Sequence, residues 1–147
     1  MADLNKHTCI CNNCELAMKK SVFVGRGKKS EFRINNDTGK TVTKYIVDDC
    51  LLQSFRREEK CDFLFWVLES KLIYLVECKG SDVLKAVSQI SSTLEVLKNT
   101  LKDYVLKGRI IPTRVNSPDL QTSSYRKLRE RLKGDLIIKN IILTETI

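Results

Sequence analysis

The pattern of hydrophobic and polar residues divides the chain into short apolar runs and one long amphipathic segment. Two apolar runs, at 61–69 and 71–79, are separated only by a short polar break, and we predict that they form an antiparallel β-hairpin buried on both faces. After Gly80, hydrophobic residues recur at spacings of three and four. This spacing predicts a helix from Asp82 to Lys107, ended by Gly108, that packs across the sheet.

Segments before the hairpin predict one helix and two further strands. We expect a short helix from Glu15 to Val24, followed by a basic turn that contains glycine. Strands are predicted at Glu31–Asn35 and Thr41–Leu52. The residues Asn36–Gly39 between them have the composition of a hairpin turn, because Asn and Asp tolerate unusual backbone angles and glycine adopts them at no steric cost. These two strands are therefore expected to pair.

Segments after the long helix alternate again between strand and helix patterns. Arg109–Val115 has the pattern of a strand, in which Pro112 indicates a sheet edge or a strand end. A basic helix is predicted at Ser124–Gly134, and a last strand at Asp135–Thr144. We see no internal repeat and no domain boundary, so we interpret the chain as one α/β domain of 147 residues with a basic, cysteine-rich segment at 1–30.

The charge of the chain favours a polyanionic partner. Its formal net charge is +8 and its isoelectric point is about 9.2, and nucleic acid is the leading candidate for such a partner. An ordinary basic surface is the alternative interpretation. Basic residues without any acid occupy the stretch from Leu16 to Ser30, where they can follow a phosphate backbone. They are Lys19, Lys20, Arg26, Lys28 and Lys29.

The apolar segments are too short for a membrane protein. The longest unbroken run, Phe63–Leu68, falls far short of the roughly 20 residues that span a bilayer, and the first residues lack an apolar signal core. We therefore expect a cytoplasmic protein without membrane contact. The six cysteines are expected to be reduced thiols in that compartment.

Four soft metal ligands lie close together near the N-terminus: His7, Cys9, Cys11 and Cys14. Thiolate and imidazole groups suit zinc, which makes a zinc site one interpretation. Structural zinc sites usually pair two short ligand knuckles, and a second knuckle is absent downstream, so Cys50 or Cys61 would have to complete the site in space. The spacing favours unligated thiols, with zinc kept as the alternative.

Polar chemistry is concentrated at the end of the second apolar run. Because side chains alternate along a strand, Glu77 and Lys79 share a face with the apolar residues before them, whereas Cys78 points to the opposite face. A carboxylate beside an ammonium at the end of an apolar strand costs desolvation energy that folding alone does not require. Asp62 begins the first strand of the same hairpin. Asp62, Glu77 and Lys79 are therefore the leading candidates for chemistry.

Two further residues are candidates for the same site. Asp48 and Asp49 end the preceding strand, and if that strand is a neighbour of the hairpin, a carboxylate comes near Asp62. The register decides whether Asp48 points inward, and a solvated strand end is an equally weighted interpretation. Gln89 lies on the predicted helix ten residues beyond Lys79, at the same end of the sheet. Its alternative interpretation is an ordinary surface amide.

These residues together resemble a known motif. An acid (Asp62), fourteen intervening residues, Glu-x-Lys at a strand end (Glu77 and Lys79) and then a helix bearing Gln89 are similar to the PD-(D/E)xK superfamily of restriction-endonuclease-like nucleases. The resemblance covers roughly Thr41–Val115. It implies an αβββαβ core with a mixed central sheet flanked by helices. The chain departs from the family at Cys61, where the family often has proline. Its upstream helix acid is also undetermined, with Glu15 and Glu31 as candidates.

The resemblance implies a metal-dependent nuclease that hydrolyses phosphodiester bonds in DNA, or alternatively in RNA, without a covalent intermediate. Magnesium, which manganese can replace, is expected at Asp62, Glu77 and Asp48, because hard cations prefer carboxylates. The carbonyl of Cys78 is a further expected ligand. Lys79 would orient water or stabilise transition-state charge, and Gln89 would position water or DNA.

Two alternatives to the nuclease interpretation stay open. One is a nuclease-like module that binds nucleic acid without cutting it, and the other is a small zinc-stabilised interaction protein. A homodimer is expected in the nuclease case, because a single domain of this size offers little surface to hold a duplex.

Overall fold

The computed structural model describes residues 20–47, 60–78, 80, 82–115 and 117–147. This part of the chain is a mixed α/β structure with two mixed sheets and three α-helices. The strands are β1 Val22–Arg26, β2 Glu31–Asn35, β3 Val42–Ile46, β4 Phe63–Val67, β5 Leu72–Glu77, β6 Val105–Ile110, β7 Leu136–Ile138 and β8 Ile142–Thr146. The helices are α1 Val83–Val96, α2 Lys98–Leu101 and α3 Ser123–Arg131, with a 3-10 helix at Ser117–Gln121.

The larger sheet has five strands in the order β3-β4-β5-β6-β7. Strand β4 is antiparallel to both β3 and β5, whereas β6 pairs parallel with both β5 and β7. The predicted hairpin of the two apolar runs is confirmed as β4 and β5, with Leu64 opposite Leu75 and Trp66 opposite Ile73. The mixed sheet therefore forms around the segment that the hydrophobic pattern identified.

Both faces of this sheet are covered, which explains why its central strands are apolar throughout. One face carries Leu64, Ile73 and Leu75 and packs against α1 and α3. The opposite face carries Phe65 and Tyr74 and packs against the smaller sheet, of order β1-β2-β8. In the smaller sheet β1 and β2 are antiparallel, and β2 pairs parallel with β8. The result is three layers: helices, five strands and three strands.

The helix after the hairpin begins where the sequence predicted it. The Asp82 carboxylate accepts a hydrogen bond of 2.9 Å from the Lys85 backbone N–H, which satisfies one of the free donors of the first turn. Residues Val83, Val87, Ile90 and Leu94 are buried on one side of α1. This apolar stripe holds the helix against the sheet.

The predicted C-terminal end of that helix is wrong. Helix α1 ends at Val96, the short α2 follows, and residues predicted as helix up to Lys107 belong to β6 from Val105 onward. Gly108, predicted as the helix stop, lies inside β6, where a Cβ would come within 2.6 Å of the Leu132 side chain. The predicted strand Arg109–Val115 is correspondingly shifted, since β6 ends before Pro112. Pairing with β5 stabilises this segment as a strand, and tertiary contacts outweigh its helical spacing.

Two predictions before β3 also need correction. Residues Val22–Val24, predicted as the end of a helix, lie in β1, while residues 15–19 fall outside the described part of the chain. The turn at Asn36–Gly39 exists, and Gly39 has a φ of 67°, but β2 and β3 belong to different sheets. The turn therefore passes the chain from one sheet to the other.

The predicted last strand is two strands. Strand β7 belongs to the larger sheet and β8 to the smaller one, and the chain crosses between them at Ile141, which has a φ of 71°. The predicted basic helix is confirmed as α3. Within the described ranges, no helix is long and apolar enough to cross a membrane.

A buried arginine connects the two sheets. Arg109 on β6 is 2% exposed, and its guanidinium bonds to Glu145 on β8 and, at 2.8 Å, to the carboxylate of Asp135 before β7. It also lies 5.5 Å from the centre of the Tyr74 ring. This network fixes the smaller sheet to the larger one.

Candidate functional site

Asp62 and Glu77 lie at the same end of the β4–β5 hairpin. The register pairs Phe63 with Val76, and continuing it by one residue places Asp62 opposite Glu77. Residues directly opposite each other in an antiparallel pair have Cβ atoms about 4.5–5.5 Å apart and project from the same face. The strand pairing therefore brings together two acids that the sequence separates by fourteen residues.

The Asp62 side chain is held against the end of β5. Its Oδ2 atom accepts a hydrogen bond of 3.0 Å from the backbone N–H of Cys78, the residue directly after Glu77. The Asp62 backbone carbonyl accepts a second bond of 3.0 Å from the N–H of Val47 at the end of β3. The first bond holds the carboxylate at the end of β5, and the second holds the Asp62 backbone against the residue after β3.

Glu77 is an almost completely buried acid. Its residue exposure is 1%, and it follows Ile73 and Leu75 on the face that packs against α1. Its backbone carbonyl accepts a hydrogen bond of 2.9 Å from Ile111 N–H, which joins the end of β5 to the segment after β6. Burial of a carboxylate costs desolvation energy, which interactions with its surroundings have to offset.

Both carboxylates influence the same two thiols. Burial is the main cause that raises the pKa of Cys78 to about 12, followed by the charge of Asp62. Burial also raises the pKa of Cys61 far above its ordinary value, and the charge of Glu77 adds to the rise. The thiols are therefore protonated at neutral pH and poor as nucleophiles or ligands. Asp62 and Glu77 are the chemically suitable groups of this cluster.

Helix α1 fixes the backbone that leads into Asp62. The Thr93 hydroxyl accepts a hydrogen bond of 2.9 Å from the Cys61 backbone N–H and donates one of 2.8 Å to the carbonyl of Gln89. The Gln89 side-chain amide donates a bond of 3.1 Å to the carbonyl of Lys60. The predicted site residue Gln89 therefore lies at the same end of the sheet as Asp62, and it holds the approach to β4.

We predict that Thr93→Val lowers the free energy of unfolding by about 1–3 kcal/mol, because the buried Cys61 N–H loses its acceptor while the side chain keeps its size. Chemical denaturation measures the change. Thr100→Val is the matched control, since Thr100 is a buried threonine of α2 to which no side-chain hydrogen bond is assigned within the described residues. Equal losses in the two variants would show that the Thr93 hydroxyl has no special role.

A glycine brings a basic segment against the site. A Cβ on Gly27 would come within 2.8 Å of the Cys78 Cβ and 2.9 Å of its carbonyl oxygen, so only glycine fits without displacement. Exposed Arg26, Lys28 and Lys29 flank this contact. The basic run of the sequence therefore lies beside the end of β5.

A basic groove lies along β1, on the side of the larger sheet that faces the smaller sheet. It has a volume of about 420 Å³ and lies between β1 and the β3–β4 pair. The Lys44 ammonium is 5.2 Å from the centre of the Phe63 ring, and the Lys20 ammonium is 5.8 Å from the Phe23 ring. Sequence reasoning did not identify Lys44 or Phe63, although Phe63 directly follows Asp62.

Several predicted site residues lie outside the described part of the chain. These are Lys79, Asp48, Glu15 and the N-terminal ligands His7, Cys9, Cys11 and Cys14, together with Cys50. Glu31, the other upstream acid, lies in β2 and not in a helix, and its carboxylate is paired with Arg26 at 2.9 Å and Arg33 at 2.8 Å. Those arginines lower its pKa. Among the residues described, no group of three or more His, Cys, Asp or Glu side chains is arranged to hold a metal ion.

Comparisons of the chain with protein-family models, with curated proteins and with solved structures find no match.

Proposed function

We propose that this chain is a metal-dependent nuclease that hydrolyses phosphodiester bonds in DNA. The observation that carries the proposal is the hydrogen bond from Cys78 N–H to the Asp62 carboxylate, because it fixes the first acid beside the second, Glu77. The order of β3, β4, β5, α1 and β6 supports a restriction-endonuclease-like core. The helix expected before that core, Glu15–Val24, is not present in its described part, where Val22–Val24 belong to β1, and residues 15–19 fall outside the described residues.

The donor set fits a hard divalent cation. Asp62 and Glu77 offer carboxylate oxygens on adjacent strands, and the Cys78 carbonyl lies at the same strand end, which are the ligand types that magnesium and manganese prefer. When bound, magnesium would neutralise charge on the phosphate that is attacked. In this proposal Asp62 and Glu77 hold the ion, with Asp48 as a third acid.

The surrounding residues are suited to hold the substrate. Arg26, Lys20 and Lys44 line the basic groove, which also includes Phe63, the residue after Asp62, and lysine and arginine side chains neutralise backbone phosphates. Lys79, two residues beyond Glu77, is proposed to orient the attacking water and to stabilise charge on the phosphate as it reacts. Gln89 is proposed to keep the start of β4 in place through its bond to the Lys60 carbonyl.

The test is cleavage of supercoiled plasmid DNA by the purified chain with magnesium, with manganese and with chelator. We expect nicking or linearisation that needs the metal and is lost in Asp62→Ala and Lys79→Ala. The control variants Asp37→Ala and Lys71→Ala remove the same charges from exposed positions outside the site, Lys71 being at the other end of the β4–β5 hairpin, and should cleave like the wild type. Single-stranded DNA and RNA in parallel reactions define the substrate.

Two results would overturn the proposal. Equal cleavage by the wild type and both site variants would assign the activity to a contaminant. Tight, salt-sensitive binding of DNA without metal-dependent cleavage would instead favour a nuclease-like binding module. Sedimentation of the same preparation tests the expected homodimer, and metal analysis tests zinc at the N-terminal cysteines.

A further inference from the structure

A second cavity lies at the opposite end of the larger sheet from Asp62 and Glu77. It has a volume of about 500 Å³ and is enclosed by the end of α1, by α2, by the first residues of β6 and by the segment after α3. In the parallel pairing of β5 and β6, Val105 at this cavity is opposite Leu72, whereas Ile110 is opposite Glu77. Five residues of strand separate the two ends, which corresponds to roughly 17 Å.

The lining of this cavity combines an apolar floor with a cationic rim. Leucines of α1, α2 and β6, together with Leu132 directly after α3, form the floor, and Tyr104 closes one side with its ring edge-on to Trp66. The rim carries four basic residues and one acid. The basic residues are Lys98, Lys102, Arg131 and Lys133, and the acid is Asp135.

The acids near the rim are already engaged. Asp135 is bonded to Arg109 at 2.8 Å and to Lys107 at 3.4 Å. Glu95 accepts from both Lys98 and Arg131, at 3.1 and 3.2 Å, and so connects α1 to α3 beside the cavity. Within the described ranges this pairing leaves the ammonium groups of Lys102 and Lys133 at the rim without an acid of their own.

The backbone at Lys133 gives a second, independent observation. Helix α3 ends in a Schellman motif, in which Lys133 N–H bonds to the Glu130 carbonyl and Gly134 N–H bonds to the Arg129 carbonyl. The residue after the C-cap in this motif is usually glycine because its φ is positive, yet here it is Lys133, with a φ of 55°. The lysine occupies a position where glycine would be less strained, and it is one of the residues that line the cavity.

We propose that this cavity binds a small amphipathic anion, with a hydrocarbon body against the leucines and a carboxylate or phosphate head at Lys102 and Lys133. The volume is in the range of small-molecule sites, and such sites combine apolar walls with a few charged groups that orient the ligand. The proposal does not depend on the nuclease assignment, because no residue of the cavity belongs to the Asp62–Glu77 site.

The experiment measures binding by calorimetry with four probes of similar chain length: decanoate, decyl phosphate, decanol and decyltrimethylammonium. We expect the wild type to bind the two anions and to bind the alcohol and the cation at least tenfold more weakly. Decanoate and decyl phosphate separate a carboxylate from a phosphate head. Binding of decanol measures the contribution of the apolar floor without a charged head group. Binding of decyltrimethylammonium measures non-specific association of a charged detergent-like molecule with the protein.

Three variants connect the binding to Lys133. Lys133→Gln keeps a side chain at the strained position and should weaken anion binding about tenfold with little change in the thermal midpoint. Lys133→Gly should weaken binding equally but raise the midpoint by about 2–4 °C, because glycine relieves the backbone. Lys139→Gln removes an exposed charge away from the cavity and should change neither quantity.

Equal affinity for all four probes would overturn the proposal, as would anion affinity unchanged in both Lys133 variants. If the thermal midpoint of Lys133→Gly rises while its affinity for the anions stays unchanged, Lys133 has no role in binding them. Plasmid cleavage by Lys133→Gly is expected to match the wild type. A failure of the nuclease proposal therefore leaves the outcome of this experiment unaffected.

Discussion

Replacing Glu77 with glutamine is expected to lower metal-dependent plasmid cleavage by a factor of about 10²–10³. The variant keeps the shape of the side chain and removes the charge that would hold the cation beside Asp62. Glu77 is the last residue of β5 and is buried, so truncating its side chain would also leave a cavity. The isosteric change to glutamine tests the charge alone.

The measurement is the initial rate of supercoil loss at saturating magnesium, with circular dichroism to check the fold. Manganese binding by calorimetry is a second readout and should weaken in the same variant. The matched control is Glu130→Gln on the exposed surface of α3. Unchanged cleavage by a correctly folded Glu77→Gln protein would falsify the assignment of Glu77 to the metal site.

Replacing Arg109 with methionine is expected to lower the free energy of unfolding by about 3–5 kcal/mol. The guanidinium is buried and bonds to Glu145 and Asp135, so its removal leaves Glu145 without this cation and Asp135 with its longer contact to Lys107. Methionine approximates the length of the arginine stem and limits the loss of packing against Tyr74. The change should therefore report mainly on the ionic contacts.

Chemical denaturation gives the magnitude, and Arg33→Met is the control. Arg33 also bonds to a glutamate, Glu31, at 2.8 Å, but its side chain is 44% exposed, so its loss should cost less than about 1 kcal/mol. Adding Glu145→Gln to Arg109→Met should recover part of the loss, because the uncompensated charge of Glu145 is removed. Comparable destabilisation by the Arg33 and Arg109 variants would contradict a structural role for the buried network.

Local patterns predicted the hairpin and the start of α1 well. Strands β4 and β5 are near neighbours in sequence, their apolar residues face covered surfaces on both sides, and Asp82 supplies a cap directly before the helix. The relation of Asp62 to Glu77 follows from the same hairpin, because a short connection determines which residues face each other. The location of Gln89 at the Asp62 end of the sheet was predictable from its place on the helix, ten residues beyond Lys79.

Features that depend on distant partners were not predictable. The spacing of Leu101, Tyr104 and Val105 fits a helix. Val105 is nevertheless a strand residue, because β6 pairs in parallel with β5. The turn at Asn36–Gly39 has the composition of a hairpin turn, but the strands on either side of it belong to different sheets. The Asn36 side-chain amide donates hydrogen bonds to the carbonyls of Lys20 and Lys40. Contacts of Thr93 with Cys61 and of Gly27 with Cys78 likewise join residues far apart in sequence.

The pairing of β2 with β8 has a consequence for how the protein acquires its structure during synthesis. Glu31 of β2 pairs with Ile142 of β8, and more than a hundred residues separate the two strands in sequence. Strand β8 is therefore synthesised long after its partner β2. Until then the Phe32 and Ile34 side chains lack Leu143 as a neighbour, and the Arg109 charge lacks Glu145. Contacts between such distant segments form slowly, and the incomplete apolar surface would meanwhile be accessible to chaperones and prone to aggregation.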